Sequence, residues 1–168
     1  MDFMGAILDG IAIAAIFNGM VASLVLINPR LFFDSYPKSI QKSAPKQMTK
    51  QEKRINLLLT ITIIGTCFVY SAISLLHSGV VGFWNLFWMG YIQWSILNAG
   101  DFLLLDCLLF QGKYKEKIVI PGTEGHKDYE FENWMKHLAI YEHFLLVPFL
   151  LIPIISAIQA VIVVFLWK

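Results

Sequence analysis

Four long apolar stretches, about 4–27, 55–77, 84–110 and 138–166, divide this chain, and they constrain it more than any other feature. A helix needs roughly 20 predominantly apolar residues to cross a bilayer. Inside hydrocarbon every backbone polar group must find a partner within the protein, so such spans are helical unless they close a barrel. The expected fold is all-α: a polytopic membrane protein forming a four-helix transmembrane bundle, with 1–168 as a single integral membrane domain. Composition agrees, with 57% apolar and 15% charged residues, against about 45–50% and 25% in soluble domains. The first stretch lacks the basic leading region of a secretory signal. Its first basic residue is Arg30, preceded by Asp2 and Asp9, so it is expected to be a retained span.

Charge placement sets the expected topology. Of 13 basic residues, seven lie between 28 and 54: Arg30, Lys38, Lys42, Lys46, Lys50, Lys53 and Arg54. Five more lie between 111 and 137: Lys113, Lys115, Lys117, Lys127 and Lys136. The connection Ser78–Phe83 has none. Basic loops stay on the cytoplasmic side. Loops 28–54 and 111–137 are therefore expected inside, both termini outside, and the chain in the plasma membrane. The lysines also suit contact with anionic lipid. A net charge of +1 makes nucleic acid an unsuitable partner. Four spans are few for a transporter, so a homo-oligomer or another membrane partner is expected.

Several local signals refine this picture. Ala6, Gly10, Ala14, Asn18 and Ala22 recur every four residues, as do Ala15, Gly19 and Ser23. Such small-residue ladders let helix backbones approach closely. Asn28-Pro29 stops the first helix, and the following Leu31-Phe32-Phe33 is expected at headgroup level. Thr49-Lys50-Gln51-Glu52 fits a capping box that starts the second span. In the second loop, Lys117–Ile120 reads as extended and Pro121-Gly122 as a turn. Residues 126–137 read as an amphipathic interfacial helix before the fourth span, with a plain helical lead-in as the alternative. Trp84, Trp88, Trp134 and Trp167 suit interfacial anchoring. Cys67 and Cys107 lie at depths about 20 Å apart, too far for a disulfide, and read as buried apolar-like thiols.

The segment Asn98–Phe110, NAGDFLLLDCLLF, poses the chemical question. Counted from Trp84, Asp101 lies about 25 Å deep and Asp106 about 33 Å. The hydrocarbon core is about 30 Å thick. Asp106 therefore reaches the inner headgroups, where water or a loop lysine would satisfy it. Asp101 stays within hydrocarbon, where an unpaired charge is costly. A helical wheel groups Gly90, Tyr91, Trp94, Ser95, Asn98, Asp101 and Asp106 on one face, interrupted by Phe102 and Leu105, opposite Met89, Ile92, Ile96, Leu103 and Cys107, with Gln93 and Gly100 exceptions there. At the same depth the fourth span brings Glu142 and His143, the first Ser23, and the second Thr60. His137, His126 and Asp106 would border this layer from the water side. The candidate ligand-binding set is thus Asp101, Glu142, His143, Asn98, Asp106 and His137, with Asp101 and His143 as a coupled pair. A buried structural network is the competing reading.

The chemistry of that set stays broad. His137, Glu142 and His143 point about 0°, 140° and 240° around their helix, so no metal clamp is expected. There is no HExxH, Walker loop or Ser-His-Asp order, and no cofactor is implied. Asp9 and His77 suit an ion pair at the outer end. Pro148 and Pro153 would free the carbonyls of Phe144 and Phe149, and Ser156 and Gln159 suit bonds to neighbouring helices. The leading expectation is binding or translocation of a small polar solute, ion or lipid headgroup at a cytoplasm-facing site. The alternatives are an enzyme acting on a lipid-borne substrate, with a carboxylate as general base, and a non-catalytic accessory subunit.

Overall fold

The computed structural model describes residues 1–112 and 114–166. Lys113 and Lys168, two of the basic residues, and the anchor Trp167 lie outside the described residues. Every described element is helical. Four helices are long and apolar enough to cross a membrane: α1 (Phe3–Ile27), α3 (Lys50–His77), α4 (Phe83–Leu109) and α5 (Phe131–Leu166). A short helix, α2 (Lys38–Ser43), lies between α1 and α3.

Local chemistry sets the helix limits. The Asp2 carboxylate accepts from Gly5 N–H and caps α1. Asn28 ends α1, and its side chain accepts from Arg30 N–H to open a 3-10 turn over Pro29–Ser35. The expected capping box is present: Thr49 Oγ1 accepts from Glu52 N–H, and Glu52 accepts from Thr49 N–H. It starts α3 at Lys50, five residues before the apolar stretch begins. Such a box satisfies two backbone donors that would otherwise be orphaned.

The helices pack side by side, with α4 central. It makes its most extensive contact with α1, then with α5. The first small-residue ladder explains the α1–α4 contact. Ala6, Gly10, Ala14 and Asn18 are all buried, and a Cβ on Gly10 would fall 3.1 Å from Gln93 Cα. The second ladder does the opposite: Ala15, Gly19 and Ser23 face outward. One helix cannot bury two faces when its neighbours lie mainly on one side.

The loop segments 28–49 and 110–130 meet at one end of the molecule and fold into a packed cap. Phe33, Ile40, Ile118, Ile120, Tyr129 and Trp134 share one apolar cluster there. The Tyr36 hydroxyl donates to the Ile118 carbonyl at 2.8 Å, and burial beside Tyr129 holds its phenol well above the ordinary value. This cap corrects four expectations. Phe32 and Phe33 point into protein rather than to headgroups. Of the expected extended run Lys117–Ile120, Lys117 and Ile118 close a 3-10 turn that begins at Lys115, and Val119 is extended. Residues 126–137 do not form a separate interfacial helix: a 3-10 turn at Lys127–Tyr129 leads directly into α5. Trp134 is 1% exposed and anchors the cap, whereas Trp84 and Trp88 do face outward.

Candidate functional site

Wide helical turns build the site. Asp101–Leu109 of α4 and Met135–Ala139 and Glu142–Leu151 of α5 are π-helical. A π turn bonds each N–H to the carbonyl five residues back, so residues five apart lie nearly above one another. Asp101 and Asp106 are such a pair, and both line one cavity of ≈ 230 Å³. A regular helix would separate them by about 140°. Met89 and Gln93, placed by the wheel on the outward side, are instead buried, because α4 packs against helices on more than one side.

His143 is held on both ring nitrogens. Its Nε2 lies 2.7 Å from Asp106 Oδ2, and its Nδ1 lies 2.8 Å from Asn98 Oδ1. Asn98 Nδ2 also donates to the His143 carbonyl at 2.9 Å. A carbonyl only accepts, which fixes the orientation of the amide. Oδ1 therefore faces Nδ1, and Nδ1 carries the hydrogen. The Trp134 indole donates to Asp106 Oδ1 at 2.8 Å. The proton these two residues share lies between His143 Nε2 and Asp106 Oδ2. With the proton on either side, the pair is electrically neutral.

The partner of His143 is thus Asp106, not the expected Asp101. Asp106 does not reach water or a lysine either: it is 5% exposed. Counting at 1.5 Å per residue placed it beyond the apolar region, but the loop cap folds back over it. Asp101 and Glu142 line the same cavity and make no side-chain hydrogen bond among the described residues. Both lie within electrostatic reach of His143 and Asp106.

Other candidates fall elsewhere. Thr60 lines the cavity, but Ser23 donates to the Gly19 carbonyl on the outer face of α1. Asn98 clamps His143 without lining the cavity. His137 pairs with Asp128 Oδ1 at 3.1 Å, and His126 Nδ1 accepts from Asp128 N–H, so neither borders the cavity.

Pro148 acts one residue away from expectation. In the π register, Pro148 would have bonded the His143 carbonyl rather than that of Phe144. Asn98 fills that carbonyl. Ile152 N–H reaches back to Val147 and Pro153 has no N–H, so the Pro148 carbonyl is also left open. The Tyr91 hydroxyl donates to it at 3.2 Å. Both freed acceptors are therefore taken by α4 side chains.

A second polar network lies further toward the chain termini, and of its members sequence reasoning named only Gln159. Ser71, Gln93 and Gln159 are each 0% exposed. Ser71 Oγ donates to Gln93 Oε1 at 2.5 Å, Gln93 Nε2 donates to Ser74, and Trp94 Nε1 donates to Gln159 Oε1 at 2.9 Å. The only sequence signal was polar residues in otherwise apolar spans. Asp9 does not pair with His77: it accepts from Ser74 and Tyr70, while His77 Nδ1 approaches the Ile73 carbonyl within its own helix. Gln159 bonds neighbouring helices as expected, but Ser156 Oγ has no partner among the described residues.

No protein-family model, curated relative or solved structure matches this chain, so its functional reading rests on its own geometry.

Proposed function

We propose that this chain is an integral plasma-membrane protein whose four long helices cross the bilayer as a bundle. In this reading both termini lie outside, and the loop cap and cavity face the cytoplasm. The cavity binds or translocates a small polar solute, ion or lipid headgroup. One observation carries the reading: Asp101, Asp106, Glu142 and His143 line one cavity, and no described Lys or Arg lines it. The His143–Asp106 pair is neutral, so nothing in the lining balances Asp101 and Glu142. Both are half-buried, and a carboxylate at membrane depth calls for a counter-charge or a proton. A cationic ligand, or a proton that moves with one, supplies it.

The enzyme reading is weaker. Both ring nitrogens of His143 are engaged, which leaves no imidazole nitrogen to accept a substrate proton. Only Asp101 or Glu142 would remain as the general base.

Calorimetric titration of the purified protein against small cations, anions and neutral solutes tests the proposal. Cations should bind, and Asp101→Asn should lose that binding while keeping the wild-type melting temperature. If no class of solute binds, the site reading fails and an accessory subunit becomes the better account.

A further inference from the structure

The cavity lining joins two chemistries: the carboxylates of Asp101 and Glu142, and the apolar side chains of Phe17, Val21, Phe32 and Ile63. Tyr36, Phe110 and Trp134 also contribute to the lining. Aromatic faces attract ammonium groups, most strongly where water is excluded. A volume of ≈ 230 Å³ exceeds the needs of one bare ion, since a water occupies about 30 Å³ in the liquid.

The cavity lies beside a lateral gap. Helix α3 packs on α1 and on the regular parts of α4 and α5, but only sparsely on their π stretches. Thr60 and Ile64 of α3 line the cavity and are themselves exposed on the outer surface. Glu142 lines both the cavity and a neighbouring groove that Asp34, Lys38, His137, Tyr141 and Leu146 also line. Thr60 and Ile64 of α3 and Leu138 and Glu142 of α5 thus line the cavity where contact between the two helices is sparse.

Resting on the membrane orientation and cation site proposed above, we infer that the ligand is a free amphiphilic amine, a single ammonium group on an apolar body. It enters sideways from the inner leaflet through the gap between α3 and α5. Its ammonium group sits between Asp101 and Glu142, and its apolar body lies along Phe17, Phe32 and Ile63. Asp106 and His143 hold the floor of the site and remain paired to each other. An aminophospholipid carries the same ammonium group. Its phosphate, however, would enter a cavity lined by three carboxylates and by no described Lys or Arg.

The test uses the full-length protein in phosphatidylcholine nanodiscs, titrated with butyl-, pentyl- and hexylammonium. Hexanol and hexanesulfonate serve as neutral and anionic controls. Each added methylene should tighten binding by roughly three- to fourfold, and the controls should not bind over the same range. Asp101→Asn and Glu142→Gln should each weaken hexylammonium at least about tenfold. Ile64→Trp leaves both carboxylates in place but fills the rim of the gap, and it should weaken binding as well. That variant keeps the proposal testable if either carboxamide variant misfolds.

Binding that ignores chain length would overturn the amphiphile and leave a plain cation site. Competition by phosphatidylethanolamine added to the nanodiscs would overturn the free amine in favour of a lipid headgroup, leaving the broader reading intact. Hexanol binding as well as hexylammonium, unchanged in both carboxamide variants, would sink this inference and the cation site together.

Discussion

His143 and Asp106 form the closest polar contact between the π stretches of α4 and α5, with Nε2 and Oδ2 2.7 Å apart and both residues 5% exposed. Asp106 also accepts from Trp134, so one carboxylate joins α4 to two turns of α5. Removing one member of a buried pair leaves the other unsatisfied, which costs about 3–5 kcal/mol. Asp106→Leu should therefore lower stability in detergent by roughly that amount. Asp101→Asn, which breaks no side-chain hydrogen bond, should shift stability by less than about 1 kcal/mol. Melting curves of both variants check the order, and equal losses would contradict it.

Asn98 and Pro148 should be energetically coupled. Asn98 occupies the His143 carbonyl that the Pro148 ring leaves without a donor. Pro148→Ala returns an N–H to the helix. Asn98→Ala should cost about 1–3 kcal/mol in the native background and measurably less in the Pro148→Ala background. A double-mutant cycle should give a coupling of about 0.5–2 kcal/mol. Strict additivity would show that the helix satisfies this carbonyl in another way.

Glycine substitutions on α1 should separate its two faces. At Gly10 a Cβ would meet Ile96 Cδ1 at 2.8 Å and Gln93 Cα at 3.1 Å, whereas at Gly19 nothing lies within 4 Å. Gly10→Ala should destabilise by about 1–3 kcal/mol through overpacking. Gly19→Ala should be neutral or stabilising, by up to about 1 kcal/mol, through helix propensity. Unfolding of the two variants in a denaturing detergent titration tests the contrast.

Asp128 should make the loop cap acid-sensitive. Burial alone would raise its pKa, but hydrogen bonds from Ser39 and His137 outweigh it and hold the carboxyl below its ordinary value. A group depressed in the folded state stabilises fully above its unfolded pKa, about 3.9 for aspartate. That contribution is lost as pH falls through the lower folded value. The melting-temperature gap between wild type and Asp128→Asn should therefore be full at pH 5 and shrink below about pH 4. A gap that stays constant in acid would show that the carboxylate charge is not what stabilises the cap.

The proposed orientation can be tested by cysteine labelling. Lys42, Glu124 and Val81 are exposed. They suit substitution better than Gly79 or Gly122, whose φ of 69° and 85° strains any side chain. In intact cells an impermeant thiol reagent should label Val81→Cys and spare Lys42→Cys and Glu124→Cys. The reverse pattern would invert the topology and turn the cavity outward.

Hydrophobic run length and capping chemistry are local properties, and they sufficed for four long helices, for the start of α3 at Lys50, and for the close α1–α4 face around Gly10. They also sufficed to place Asp101, Glu142 and His143 at one level, because depth along a helix follows from residue count. The pairing within that level was beyond them. A 3.6-residue wheel put Asp101 and Asp106 on one broad polar face, but it cannot foresee π turns, which bring the two closer around the helix and move the carbonyl opened by Pro148 from Phe144 to His143. Nor can charge counting foresee that two lysine-rich loops carry enough aromatic side chains to fold into a cap. That cap buries Trp134 against Asp106 and leaves Asp101 without a direct hydrogen-bond partner. Which cavity carboxylate was tied up by hydrogen bonds and which was left without one was decided only by contacts between residues 28 to 45 positions apart in the chain.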